Sequence, residues 1–203
     1  MTVALPSTSP VAVHRRSIEY EAFDAGDSLV VVGTLRDSRP WAEDPAVERV
    51  HDMELRVKVR LTDFTITDAD AVMHTFPHAE CPAIVAAFQG LVGLSVARGY
   101  TRAVQQRFGG VLGCTHLEHL ARSLGPMVVQ AATSHMAWTR SAGWTEPGQT
   151  DAGSSPLAVR NTCHIWAEDG IAEQKLTLGW QPGRDDYPAP TLVYFRERAA
   201  RGS

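Results

Sequence analysis

From His51 to Leu61 apolar and polar positions alternate without a break. The odd positions are His51, Met53, Leu55, Val57, Val59 and Leu61, and the even ones are Asp52, Glu54, Arg56, Lys58 and Arg60. A period of two predicts a strand with one face on a core and the other in water. Upstream, Val13 to Phe23 alternates at Ile18, Tyr20 and Ala22 and predicts a first strand. Asp24-Ala-Gly26-Asp27 is turn chemistry, and Ser28 to Leu35 predicts a second, more deeply buried strand. Ser38 to Val47, with two prolines and two acids, predicts a loop. A turn near Asp63 leads to a further strand around Thr65 to Phe76. Strands following one another at such short spacing predict an antiparallel sheet.

The pattern then changes period. Cys81-Pro82 opens an apolar helical segment to Phe88, with Pro82 suited to the first helical position. Tyr100 to Phe108 predicts a short helix ended by Gly109-Gly110. Thr115-His-Leu-Glu118 fits a capping box with Thr115 as the N-cap, and the stripe Leu117, Leu120, Ala121 and Leu124 continues that helix. Gly125-Pro126 kinks it or divides it from a second helix running to about Thr139. Residues 143–156 predict a loop, Val159 to Trp166 a strand, and Glu168-Asp-Gly170 a hairpin turn. The fold class expected is α+β: an N-terminal antiparallel sheet of about four strands packed on helices from the central region, with a C-terminal strand or hairpin joining the sheet. No repeat or linker interrupts the chain, so one domain is expected over residues 11–203, behind a flexible tail at residues 1–10.

Composition narrows the partners. With 44% apolar and 21% charged residues in 203, the chain is globular and not disordered. A net charge of −4 offers no basic field for phosphate backbones, so no nucleic-acid partner is expected. The strongly apolar run Pro82 to Phe88 is too short to span a bilayer, so no membrane partner is expected. The N-terminal stretch lacks the basic region of a secretory signal, and three cysteines cannot build a disulfide framework. A cytoplasmic protein with reduced thiols follows, acting on a small molecule and open to self-association as a homo-oligomer.

Gly113-Cys-Thr-His116 is the most informative stretch for chemistry. A thiol just before a helix lies beside unpaired N–H groups and the positive end of the helix dipole, which favours thiolate, and a nearby imidazole favours it further. His119 shares the helical face of His116. His51 begins the alternating strand on its apolar side, where an imidazole needs a hydrogen bond, a ligand or a metal, while Asp52 points the other way. Cys81 sits at another helix start, and Cys163 shares a predicted strand face with Val159, Asn161 and Ile165. No phosphate loop, G-x-S-x-G elbow or H-E-x-x-H occurs.

Two resemblances add to this. Leu112-Gly-Cys-Thr-His116 is similar to the second cysteine motif of the aspartate/glutamate racemase superfamily, in which paired cysteines move a proton α to a carboxylate without a cofactor. The similarity is local: that superfamily is built of βα halves, and Asn161-Thr-Cys163 reverses the order of its first motif. Over nearly the whole chain, the sequence resembles a bacterial domain-of-unknown-function family. The residues carrying this are Arg15-Arg-Ser-Ile18, Gly33-Thr-Leu-Arg-Asp37, Val50-His-Asp-Met53, Cys81, Leu91-Val-Gly-Leu94, Gly113-Cys-Thr-His-Leu117 and Cys163. The resemblance implies that His51, Asp52, Cys81, Cys114 and His116 belong to one site.

Three functions are therefore weighed. The first is a small-molecule enzyme of lyase, isomerase or hydrolase type with no nucleotide cofactor, such as acyl, aromatic or secondary metabolism would use. Cys114 is its thiolate, His51 and His116 its acid–base partners and Asp52 their orienter. The second is a transition-metal site, zinc foremost, with His51, Cys81, Cys114 and His116 as ligands, catalytic or structural. The third is an accessory module whose cysteines only pack. Both of the first two expect His51 and Cys114 within about two hydrogen-bond lengths of each other, directly or through one water or metal.

Overall fold

A computed structural model describes residues 11–141, 160–181 and 188–201. The expected tail at 1–10 and loop at 143–156 lie outside the described residues. The chain divides into two compact units, Met1–Ala132 and Thr133–Ser203.

The first unit is built on four antiparallel strands in the order β1-β2-β3-β4: β1 Arg15–Asp24, β2 Ser28–Ser38, β3 Arg49–Arg60 and β4 Ile66–Thr75. Their register makes one face apolar. Ile18 opposes Leu35, which opposes Met53, which in turn opposes Met73, and Ala22, Val31, Val57 and Ala69 line up in the same way. The other face carries Glu54, Arg56 and Lys58 among exposed or half-exposed side chains. The alternation read from the sequence thus sorts the sheet into an inner and an outer face. Between β2 and β3 lies a short helix, α1 (Pro45–Glu48), capped by the Asp44 carboxylate, which accepts from the Ala46 N–H at 2.8 Å.

Helices cover the inner face. Cys81–Leu91 forms a 3-10 helix with Pro82 in its first turn, and Gln89 donates from its side chain to the Ala69 carbonyl of β4. Helix α2 (Tyr100–Phe108) ends at Gly109, and helix α3 (Thr115–Ser141) is one continuous helix with Pro126 inside it. The stripe Leu117, Leu120, Ala121 and Leu124 is fully buried, with Phe88 stacked on Phe108 at 4.6 Å between ring centres. Each such buried Leu, Val or Phe contributes about 1.5–3 kcal/mol.

One tie fixes α3 over the sheet. Tyr20 crosses the backbone of Gly33, its cross-strand partner, and donates its hydroxyl to the Leu120 carbonyl at 2.7 Å. Only glycine leaves room for the ring, since a Cβ at position 33 would meet Tyr20 Cε1 at 2.5 Å. Burial pushes the Tyr20 hydroxyl up to about 12, against a hydrogen bond with Ser123, so it remains a donor.

In the second unit the structure corrects the expected C-terminal strand. Arg160 to Trp166 is a turn and a short 3-10 helix at His164–Trp166. Asn161 takes a left-handed backbone with φ of 60°, which a strand does not accept. Its N–H donates to the Trp166 carbonyl at 2.7 Å, and its side-chain oxygen accepts from the Glu168 N–H at 3.0 Å. The segment closes on itself and joins no sheet among the described residues. Glu168-Asp-Gly170 opens helix α4 (Ile171–Thr177) instead of a hairpin, and helix α5 (Leu192–Arg201) follows. Arg160 clasps Glu173 with two hydrogen bonds, and Ala172 and Phe195 are buried. Among the described residues no helix is long and apolar enough to cross a membrane.

Candidate functional site

The last row of the sheet's inner face is polar. Following Leu35 down β2, the next inward position is Asp37, whose carboxylate is 1% exposed. The register sets Arg16 of β1 opposite it on one side and His51 of β3 opposite it on the other. A buried carboxylate needs compensation, and Asp37 receives it from five contacts. Arg16 donates from Nε to Oδ1 and from Nη2 to Oδ2, both at 2.7 Å, a two-pronged clasp. His14 Nε2 approaches Oδ1 at 3.3 Å and His51 Nδ1 approaches Oδ2 at 3.1 Å. His116 Nε2 lies 3.4 Å from Oδ2, within ion-pair range.

Burial alone would raise the Asp37 carboxyl. The Arg16 hydrogen bonds and charge, helped by His51 and His14, overcome it and hold the group at about 2. Asp37 is therefore ionised, so Nδ1 of His51 carries the proton that it donates. The His116 imidazole is held below its ordinary range, first by burial and then by His51, with Arg16 and His119 adding and Asp37 opposing. It is neutral at pH 7, and the tautomer with its proton on Nε2 presents Nδ1 as a lone pair.

That lone pair faces the thiol. His116 Nδ1 lies 3.7 Å from Cys114 Sγ. The local backbone explains the placement. The Glu118 N–H donates to the Cys114 carbonyl at 2.8 Å, which makes Cys114 the N-cap of α3 and Thr115 its first helical residue. The N-cap thus falls one residue before the expected Thr115, the capping box does not form, and Glu118 pairs with Arg122 at 3.7 Å. Gly113 packs its backbone on the Phe108 carbonyl, where a Cβ would stand 2.3 Å from the oxygen, and this seats Cys114 at the helix mouth.

The structure brings together three of the residues singled out in the sequence. The His51 and His116 rings lie with centres 3.8 Å apart, tilted by 32°, and Cys114 adjoins His116. Two others stand apart. Asp52 lies on the outer face of β3, 3.5 Å from Arg36 Nε, and cannot orient the imidazoles because alternation turns it away from His51. The carboxylate in contact with both imidazoles is Asp37. Cys81 starts its 3-10 helix and packs against the core. Among the described residues the ligand-type groups that converge within 4.8 Å are Asp37, His51 and His116, with neither Cys81 nor Cys114. Cys81 packs against the core, and the Cys114 thiol packs against the core and lies beside His116. Cys163 is exposed, not on a core face.

Asp37, Arg16 and His14 were not among the candidates read from the sequence. A signal existed for the first: continuing the β2 alternation two residues past Leu35 puts a carboxylate on the inner face.

No curated protein and no solved structure matches the chain. A family model described as protein of unknown function (DUF2889) matches residues 14–130, a span that begins at His14 and includes every member of the Asp37 cluster. The chain belongs to that family.

Proposed function

We propose that the chain is a small-molecule enzyme of the hydrolase or acyl-transfer type, with Cys114 as its nucleophile. The observation that carries this reading is the order Cys114, His116, Asp37, with the imidazole 3.7 Å from the sulfur and 3.4 Å from the carboxylate. His116 takes the thiol proton at Nδ1 and returns it to the leaving group. Asp37 orients the ring and stabilises the imidazolium, and Arg16 keeps Asp37 ionised. The N–H groups of the first turn of α3, which have no partner within the helix, face developing oxyanion charge. His51 supplies a second acid–base group through Nε2.

Cys163 provides an internal reference for the test because it is more exposed than Cys114. In iodoacetamide at pH 7, followed by peptide mapping, Cys114 is expected to alkylate at least about tenfold faster than Cys163. His116→Ala should remove most of the difference. Equal rates at the two thiols would refute the nucleophile reading.

A second reading rests on the ligand spacing. Zinc bonds of 2.0–2.2 Å in a tetrahedron set neighbouring ligand atoms about 3.4 Å apart. Asp37 Oδ2 stands 3.1 Å from His51 Nδ1 and 3.4 Å from His116 Nε2, which suits a transition-metal centre with zinc foremost. Against it, the Arg16 guanidinium already holds Oδ2 at 2.7 Å and repels a dication. Elemental analysis of protein purified without a metal-affinity tag decides between them. This reading expects about one equivalent, lost in His51→Ala and retained in Cys81→Ser. Less than about a tenth of an equivalent removes it.

A further inference from the structure

At the end of the sheet where Asp37 lies, the residues leading into β1, the β2–β3 connection with α1 and the end of β4 come together, and the contacts of His116 with Asp37 and Cys114 bring the approach to Cys114 to the same end. The exposed large apolar side chains of the first unit concentrate on these stretches. Among the described residues of that unit there are eight, and six of them are Val11, Val13, Trp41, Val47, Val111 and Leu112. Val111 is 100% exposed and Leu112 58%, and both directly precede Gly113-Cys114. Trp41 is 55% exposed, yet its indole N–H donates to the Val13 carbonyl at 3.0 Å. That bond holds the ring beside the residue preceding His14, which itself reaches Asp37. The other two, Phe23 and Val92, lie elsewhere: Phe23 near the far end of β1 and Val92 after the 3-10 helix.

Apolar groups exposed around one polar, partly buried cluster mark a ligand with a reactive polar head and an apolar tail. We infer that the substrate is an activated acyl compound, an ester or thioester, whose aliphatic chain lies against Trp41, Val111 and Leu112 while its carbonyl meets Cys114. This rests on the nucleophile reading above. The sulfur–carbon bond forms as the carbon–oxygen (or carbon–sulfur) bond to the leaving group breaks. The thiol proton passes through His116 to the leaving alcohol or thiol. Water then hydrolyses the acyl-cysteine to the carboxylic acid and restores the thiol, with no change of oxidation state.

The test uses the full chain and p-nitrophenyl acetate, butyrate, hexanoate and octanoate below their aggregation concentrations. Nitrophenolate release and the acyl mass on the Cys114 peptide are followed together. After division by the rates of free N-acetylcysteine, octanoate is expected to acylate Cys114 at least about tenfold faster than acetate. In Val111→Ser, Leu112→Ser and Trp41→Ser that ratio should fall towards one. Val111 touches no core, so its variant keeps the test valid should another fail to fold. A flat series on a thiol that iodoacetamide alkylates rapidly overturns the acyl inference and leaves the nucleophile reading standing. A thiol inert to both reagents overturns both. A chain that self-associates in solution, and becomes monomeric in Val111→Ser with no change in the ester series, overturns the inference by assigning the apolar residues to an interface.

Discussion

Asp37→Asn is expected to lower the stability of the chain by about 3 kcal/mol, because one buried carboxylate is the counter-charge of an arginine and the shared partner of three histidines. Removing one partner of a buried ionic cluster costs about 3–5 kcal/mol, and the partial exposure of Arg16 places this case at the lower end. Asparagine keeps the shape but turns an amide N–H₂ towards groups that are themselves donors. For a chain of this size the loss corresponds to a fall in Tm of about 6–12 °C. The same cluster sets an acid limb. Asp37 lies at about 2 in the folded chain against 3.8 ordinarily, so the folded state binds fewer protons in that range. Its contribution, about 2 kcal/mol, is complete above pH about 4 and is lost as the pH falls through 2. Urea unfolding at pH 7, 4 and 2 should show this loss in the parent chain and its absence in Asp37→Asn. Parallel acid profiles for the two proteins would contradict the assignment of Asp37 as the ionised centre.

Gly33→Ala is expected to cost about 2 kcal/mol, although alanine suits a strand better than glycine by about 0.5–1 kcal/mol. The new Cβ meets the Tyr20 ring, and the ring cannot swing aside without breaking the hydroxyl bond to Leu120 that ties α3 to the sheet. Overpacking of this kind costs about 1–3 kcal/mol. A double-mutant cycle isolates the cause. In a Tyr20→Ala background the same substitution should cost about 1–2 kcal/mol less. An equal penalty in both backgrounds would assign the cost to the backbone and not to the ring.

The sheet was legible because its side-chain period is two and one face is buried, so the inner residues of β3 announce themselves. Helix α2 was legible from the Gly109-Gly110 pair that ends it, and the buried stripe of α3 from its spacing. The site was half legible. Cys114, His116 and His51 carry their chemistry in their residue types, but the carboxylate in contact with both imidazoles lies in Arg36-Asp37, between the strand read to Leu35 and the loop read from Ser38. Aspartate disfavours strands, and β2 reaches Asp37 only because β1 and β3 pair with it on both sides. Asp52, next to His51 in sequence, was the natural choice of partner, yet neighbours along a strand face opposite ways. The C-terminal strand failed for a related reason. Arg160 to Trp166 has strand composition, but the left-handed Asn161 and its side-chain bond to Glu168 close a turn that composition does not reveal.

The row formed by Arg16, Asp37 and His51 also bears on how the protein matures. Its three side chains come from three separate strands and meet only when both hairpins have paired in one alignment. A slip of one residue in β2 would carry Asp37 to the solvent side and bring Arg36 inward, leaving Arg16 without its counter-charge and His51 without its acceptor. On the nucleophile reading proposed above, a chain caught in such a mispaired form would hold its cysteine without an oriented base beside it. On that reading chemical competence is withheld from immature molecules, and the rate at which Cys114 becomes reactive during refolding would time the moment at which the correct pairing locks.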